Sequence, residues 1–371
     1  MSFQFKNTTS VLVLALATTL SLSAPLKADE SHDSNGHKNH RADGHAPIGV
    51  MGDHLHKKGE FMMSYRFMTM GMKGNQQGTD NISTDTIATT VPNRFFGTPG
   101  QPQTVRVVPT EMTMDMHMIG AMFAPSDNLT LMAMISVIDK EMEHITYQGG
   151  GANTNVLGKF KTRTSGIGDL NLGGLYSLYN DGTTKIHFNG GLSIPTASIT
   201  RRDDVLTPMG GNPTLRLPYP MQLGTGTWDL LPGLTVQSRM GDFSYGAQYK
   251  ARFHLGDNDE GYSFGDKHEL TGWVAYQWAP WISTSLRLTG ITQAEIDGID
   301  PNIVAPVQTA NPDNFGGDRL DLALGVNMMV QSGRFEGHRF ALEFGAPIYQ
   351  DLNGVQLETD YTLTVGWQKA F

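Results

Sequence analysis

The sequence predicts an all-β fold, a single antiparallel transmembrane β-barrel of about twelve strands with a flexible N-terminal segment. The clearest observation is residues 243–255, where apolar or aromatic side chains from Phe243 to Leu255 alternate with small, polar or basic ones. A period of two indicates a strand, and the pattern recurs along the chain with hardly any helical periodicity between repeats. After the N-terminal leader, no apolar run reaches the roughly 18 residues that a membrane helix needs.

The lengths of the connections give a second indication of a barrel. After the first strand, long and short connections alternate, and only the short last connection, residues 349–357, departs from the rule. Bacterial outer-membrane barrels have long external loops and short periplasmic turns, so we expect both chain termini in the periplasm. The predicted strands are residues 59–72, 111–124, 128–139, 168–179, 184–196, 227–238, 243–255, 268–278, 282–291, 319–330, 338–348 and 361–371.

One strand leaves the choice of face open to argument. In residues 111–124 a row of methionines alternates with polar residues that include Asp115 and His117. A charged side chain that faces lipid is costly, so we assign the methionine row to lipid and Asp115 and His117 to the lumen.

The polar faces of the strands predict the lining of the lumen. These side chains are either cross-strand pairs that hold the barrel together or the lining of a selective pore. The predicted lumen-lining residues are Arg66, Asp115, His117, Asp169, His187, Lys250, Arg252, His254, Glu269, Arg287, Arg319, Asp321, Arg339 and Glu343.

The N-terminal region divides into two parts ahead of the barrel at residues 59–371. Residues 1–28 are predicted to be a signal peptide, with Lys6 ahead of the apolar run 11–22. Export together with a barrel predicts the outer membrane of a Gram-negative-type cell. Residues 29–58 are predicted to be a flexible His-rich periplasmic segment or a plug, with six of the chain's 12 histidines: His32, His37, His40, His45, His54 and His56.

Histidine and methionine together suggest metal binding. Imidazole suits Cu(II) and Zn(II), and thioether suits Cu(I), so copper is the metal that this composition favours if one is bound. The alternative is that methionine serves as an adaptable apolar filler. The absence of cysteine excludes thiolate ligands. The candidate ligands are His45, His54, His56, Met68, Met70 and Met72.

Composition also limits the function. A net charge of −9 argues against nucleic-acid binding. No enzyme is predicted, because Ser136 and His144 do not assemble into a nucleophile–base pair. We expect a monomeric channel or transporter for small molecules, with copper binding or export as the alternative. The expected partners are membrane lipid, a small-molecule cargo and the barrel-assembly machinery, which would recognise the C-terminal Phe371.

Several segments resemble one family of outer-membrane barrels, the transporters named for the meta-pathway of phenol degradation. The similar segments are GIGDLNLGGLY at 166–176, GGLSIPT at 190–196, YPMQLGTGTWD at 219–229 and GWQKAF at 366–371. The segment HAPIGVMGDH at 45–54 resembles a Met-rich branch of such proteins. The resemblance covers most of the chain after the leader and implies a barrel through which hydrophobic or aromatic compounds pass.

Overall fold

The structure is a computed structural model that describes residues 41–371. The predicted signal peptide and the histidines at 32, 37 and 40 lie outside the described residues. Within residues 41–371 no helix is long and apolar enough to span a membrane. The α-helix of this region, α1 (Thr84–Thr90), is seven residues long and begins after Ser83, whose hydroxyl accepts a hydrogen bond from the Thr86 amide.

Eighteen strands make up almost all of the regular structure. They are β1 (Phe61–Gly78), β2 (Asp80–Asn81), β3 (Val107–Ser126), β4 (Leu129–Tyr147), β5 (Val156–Ile167), β6 (Leu170–Asn180), β7 (Thr184–Ile194), β8 (Arg202–Asp204), β9 (Thr214–Arg216), β10 (Asp229–Leu230), β11 (Gly233–Met240), β12 (Phe243–His254), β13 (Tyr262–Ser263), β14 (Lys267–Ala279), β15 (Ile282–Gln293), β16 (Asp297–Gly298), β17 (Gly317–Met329) and β18 (His338–Ala370).

Eleven of these strands close into an antiparallel barrel. The order around the wall is β1, β3, β4, β6, β7, β11, β12, β14, β15, β17 and β18, and β18 pairs with β1 to complete the ring. β5 precedes β6 along the same side of β4: β6 pairs with the first part of β4 and β5 pairs with its second part. The all-β barrel predicted from the alternation is therefore confirmed.

The last strand explains the predicted count of about twelve. β18 is 33 residues long, and its first half pairs with β17 whereas its second half pairs with β1. Arg339 donates a hydrogen bond to Gln368, and Thr362 Oγ1 lies 3.5 Å from the Gly345 carbonyl. A straight strand would separate these residues by tens of ångströms, so β18 folds back on itself near Gly354, whose φ is +60°. The chain therefore runs along the barrel wall twelve times, because β18 does so twice. Residues 349–357, predicted as a connection, lie within β18.

Large apolar side chains cover the outside of the barrel. Along β12, Phe243, Tyr245 and Tyr249 are exposed, and on β17 Leu324 is 63% exposed. The side chains between them point inward; Gln248, for example, is 1% exposed. Apolar residues outside and polar residues inside is the arrangement of a barrel that spans a membrane.

The predicted faces of β3 are wrong and must be exchanged. Met112, Met118 and Met122 are buried in the lumen, whereas Ile119 and Phe123 are about half exposed on the outside. Asp115 and His117 share that outer face. The register pairs Met62 with Met122 and Met72 with Met112, so the methionines of two neighbouring strands point the same way. His117 Nδ1 hydrogen-bonds the Tyr65 hydroxyl at 2.7 Å, which satisfies one of its polar atoms on the outer face.

The two ends of the barrel differ. At one end Phe61 and Phe371 exchange backbone hydrogen bonds, and the turns are short; we call it the termini end. At the other, the loop end, long connections pack around a small core of Val107, Tyr219, Tyr262, Ile303 and Val307. The strands also extend further toward this end than predicted, because β4 runs to Tyr147 and β5 starts at Val156.

Candidate functional site

Residues 41–58, the lumenal segment, lie inside the barrel. The segment starts at the termini end, where Arg41 Nη2 donates to the Gly241 carbonyl and the Ala42 amide donates to the Pro280 carbonyl, both in short turns. It turns back within the lumen and leaves at the same end, where the Gly59 amide bonds the Ala124 carbonyl at 2.8 Å. The lumenal segment therefore forms a hairpin-like loop inside the barrel.

Wall side chains hold the tip of the lumenal segment through its backbone. The Gly52 carbonyl lies 2.9 Å from both His187 Nε2 and Asn189 Nδ2, on β7. Gln248 Nε2 of β12 donates to the Met51 carbonyl at 3.0 Å. Gly52 has a φ of +66°, and a Cβ there would lie 3.0 Å from Asn189 Nδ2, so this position favours glycine.

The opposite wall holds the segment as well. Arg339 of β18 is 2% exposed, donates to the Ala46 carbonyl at 2.6 Å and reaches Asn327 Oδ1 at 2.7 Å. Ala46 and Val50 form a buried apolar cluster with Trp273. Because contacts reach it from several sides of the wall, the lumenal segment fills the lumen near the termini end.

Three histidines of the lumenal segment lie together beside Asp53. The His54 Nδ1 atom is 2.9 Å from Asp53 Oδ1, and the His45 Nδ1 atom is 3.8 Å from Asp53 Oδ2. The His56 ring centroid is 4.8 Å from that of His54. Burial lowers the pKa of His56 to about 4 and holds the pKa of His45 well below its usual range.

Most of the predicted lumen-lining residues lie on the wall built by β12, β14, β15, β17 and β18, the charged wall. Arg287 Nη2 and Glu343 Oε1 are 2.6 Å apart, and Lys250 Nζ is 3.4 Å from Glu269 Oε1. Arg319 lies 2.9 Å from Asp321 on the same strand. Arg252 and His254 both contact Asp229, at 3.3 and 2.8 Å.

The remaining predicted positions have different surroundings. Arg66 is buried on the lumen side of β1, and His187 contacts the lumenal segment. Asp169 holds the 195–228 connection, the inner loop, by accepting hydrogen bonds from the Ala197 and Thr225 amides at 3.0 Å each. Asp115 and His117 lie outside the lumen.

Ser136 and His144 are eight residues apart on β4, roughly 26 Å at strand rise, which excludes direct contact between them.

The wall built by β1, β3 and β4, the methionine wall, faces the charged wall. Its side chains form cross-strand rows: Met72, Met112 and Met142 are direct neighbours, and so are Met62, Met122 and Met132. The candidate ligands Met68, Met70 and Met72 belong to this wall, whereas the candidate histidines belong to the lumenal segment. The lumen-facing methionines, twelve of the chain's 20, are Met62, Met68, Met70, Met72, Met112, Met114, Met116, Met118, Met122, Met132, Met134 and Met142.

The methionine wall connects the lumenal segment with the loop end. Its row near the termini packs with Leu175 and with Leu55 of the lumenal segment. Its row near the loops packs with Leu217 and Met221 of the inner loop. Leu217 also lines a cavity of about 490 Å³ among the loops, together with Phe160, Val205 and Val307. Apolar contacts between buried side chains thus continue from the loop cavity into the lumen.

Sequence reasoning missed two features of this site. Asp53 was not among the metal candidates, although its position between His45 and His54 in the sequence was a usable signal. The second feature is the inner loop: the alternation of connection lengths predicts an ordinary external loop here, yet Met221 is fully buried and Gln222 is 2% exposed. Lys140 of β4 holds this loop inward by donating to the Pro220 and Gln222 carbonyls at 2.8 and 2.5 Å.

Comparison with known proteins supports the architecture through one solved structure. No family model and no curated protein matches the sequence. An outer membrane channel from Pseudomonas putida F1 matches the structure with a TM-score of 0.57 at 13% identity, over 87% of this chain and 99% of the other. The NanC porin (TM-score 0.39, 8% identity, 81% of this chain and 98% of the other covered) and a mutant of the monoaromatic hydrocarbon channel TodX (0.43, 11%, 85% and 91%) match more weakly. The chain therefore has the fold of an outer-membrane β-barrel.

Proposed function

We propose that this protein is an outer-membrane channel for small, largely apolar molecules, hydrophobic and aromatic compounds among them. The observation that carries the proposal is the series of apolar contacts that leads from the loop cavity through the buried Leu217 to the methionine wall. Binding sites for small molecules are typically 300–1,000 Å³ and mostly apolar, with a few polar groups, and the cavity of about 490 Å³ fits that description. Methionine side chains adapt to cargo of varied shape.

The charged wall gives the same lumen a polar side. Its arginines, lysines and carboxylates are paired across and along the strands, and the Arg287–Glu343 pair is largely buried. Such pairs hold a lumen rigid and leave the methionine wall as the unpaired, adaptable side. A solute with an apolar body and one polar group would fit between the two walls.

The lumenal segment is proposed as the plug of this channel. Its backbone carbonyls are bound by side chains from β7, β12 and β18, which are spread around the barrel. In this proposal the termini end is periplasmic and the loop cavity is the external binding site. The assembly machinery would recognise Phe371, which is 68% exposed at the last strand.

Filling the loop cavity is expected to slow uptake of apolar solutes. Leu217→Trp adds bulk where the cavity meets the methionine wall, so we expect several-fold slower uptake of a small aromatic solute by cells that produce this variant. Leu234→Trp on the outer face is the matched control, because Leu234 is 42% exposed away from the lumen. Equal uptake by Leu217→Trp and unaltered protein, at equal amounts in the membrane, would contradict the proposed path.

Copper-type metal binding or export is the second candidate, favoured by the row of lumen-facing thioethers. Thioether sulfur suits Cu(I), and the change of Met68, Met70 and Met72 together to Leu removes sulfur while it keeps apolar volume. If the wall serves apolar cargo, this triple variant should retain uptake of an aromatic solute. If the wall serves copper, the variant should lose Cu(I) transport into vesicles, which is measured with a Cu(I)-specific chelating dye inside them.

A further inference from the structure

The tightest cluster of metal-ligating side chains in the described part of the chain lies in the lumenal segment. One nitrogen each of His45 and His54 and one carboxylate oxygen of Asp53 all lie within 4.8 Å of one another. The rings of His45 and His54 are nearly perpendicular, with centroids 4.4 Å apart, so both can point nitrogens at one position without stacking.

The fold of the segment makes this cluster. A turn in which the Val50 amide bonds the Pro47 carbonyl reverses the chain, and Gly52 adds a positive φ. The reversal places the Ala46 amide 2.9 Å from Asp53 Oδ2, which fixes the carboxylate beside His45. A carboxylate that is itself hydrogen-bonded is the arrangement that orients metal ligands.

The distances match those between ligands of a small metal ion. Ligand bonds of about 2.0–2.1 Å in a tetrahedral site separate neighbouring ligand atoms by roughly 3.3 Å. The two nitrogen–carboxylate distances, 2.9 Å for His54 and 3.8 Å for His45, lie on either side of that value. Small rotations of the two rings would equalise them.

Two buried nitrogens in the cluster have no hydrogen-bond partner. They are His45 Nδ1 and His56 Nε2. The His56 side chain is 4% exposed and its ring is next to that of His54, so it is available as a fourth ligand. Buried polar atoms are costly to leave unsatisfied; a metal ion bound at the cluster would satisfy His45 Nδ1 and, once the His56 ring turns toward it, His56 Nε2 as well.

We infer that the lumenal segment binds one divalent ion of borderline softness, Zn(II) or Cu(II), through His45, Asp53 and His54, with His56 as the fourth ligand. Imidazole and carboxylate donors favour this class, whereas thioether or thiolate sulfur favours Cu(I). Asp53 supplies the negative charge that offsets the guanidinium of Arg339, which bonds the neighbouring Ala46 carbonyl. The site is separate from the methionine wall.

Because every ligand comes from the segment itself, the ion would tie the segment into its folded form and would not attach it to the wall. This consequence rests on the proposed function, in which the segment is a plug. A chelator would then loosen the plug and raise ion conductance, and added Zn(II) would lower it again. A variant lacking residues 29–58 should show no response to either.

The site is tested by equilibrium binding, which does not depend on transport. The full chain in detergent, freed of metal with a chelator, is titrated with Zn(II) by calorimetry. We expect one tight site per chain, and an affinity at least about tenfold lower for His45→Gln and for His54→Gln. Two controls should retain the site: His117→Gln on the outer face, and the joint change of His32, His37 and His40 to Gln.

Cu(II) electron paramagnetic resonance on the unaltered chain provides a second readout that needs no variant. Coupling to at least two imidazole nitrogens at one copper per chain is the expected result. Absence of saturable binding, or binding that survives both His45→Gln and His54→Gln but is lost in the triple His→Gln chain, would overturn the site. Tight binding without any effect of metal on conductance would support the metal site but refute the proposal that the metal stabilises the plug.

Discussion

A chain that lacks residues 29–58 is expected to conduct ions several-fold better than the intact chain. The lumenal segment is bound by His187, Gln248 and Arg339 from different sides of the wall and fills the lumen near the termini end. Its removal empties the part of the lumen near the termini end, between the charged wall and the methionine wall. Single-channel current across a planar lipid bilayer measures the change directly.

Two controls accompany this deletion. The closed wall does not include the segment, so the variant should still migrate as a folded barrel in unheated gels. Arg339→Met removes the hydrogen bond to the Ala46 carbonyl and should give an intermediate conductance, with openings that fluctuate. If the deletion variant folds and conducts no better than the intact chain, the segment is not the plug.

Glu343→Ala is expected to be the most destabilising single substitution in the charged wall. Glu343 is 4% exposed, and its two oxygens accept from Arg287 at 2.6 and 3.2 Å. Loss of one partner of a buried ion pair leaves the other charge uncompensated, at a cost of about 3–5 kcal/mol. Arg66 and Arg339 interact with the same carboxylate, which adds repulsion among the cations that remain.

Urea unfolding in detergent measures this loss as a lower midpoint of denaturation. The double variant Arg287→Met/Glu343→Ala should recover part of the stability, because it removes both charges of the pair and Met keeps the apolar volume of the arginine stem. Glu111→Ala, which breaks an exposed ion pair with Lys73 at the barrel surface, should change the midpoint little. A Glu343→Ala midpoint equal to that of Glu111→Ala would contradict a structural role for the buried pair.

The wall was predictable because alternation is a local property of each strand. In β12, Tyr245 and Tyr249 lie outside and Gln248 inside as the period of two requires. The faces of β3 were not predictable in this way. One face carries methionines and the other carries Asp115 and His117, and the alternation within this strand does not show which of the two faces the lumen. The decision comes from neighbouring strands, where Met72, Met112 and Met142 form one row, and such a register is not visible in a single strand.

The lumenal segment illustrates a second limit. Its low hydrophobicity favours a flexible chain, yet the carbonyls of Ala46, Met51 and Gly52 are all bound by polar side chains of the wall. These partners lie more than 100 positions away in the sequence. Local composition does not reveal partners at such a separation in the sequence.

The most direct test of the channel is the initial rate at which Gram-negative cells take up a radiolabelled small aromatic hydrocarbon. The comparison is between cells that produce the chain and otherwise identical cells that do not, with the amount of barrel in the outer membrane measured in both. We predict faster uptake with the chain and saturation as the concentration of solute rises, because the loop cavity binds the solute first. Equal rates in the two strains would contradict a lumen built for apolar molecules.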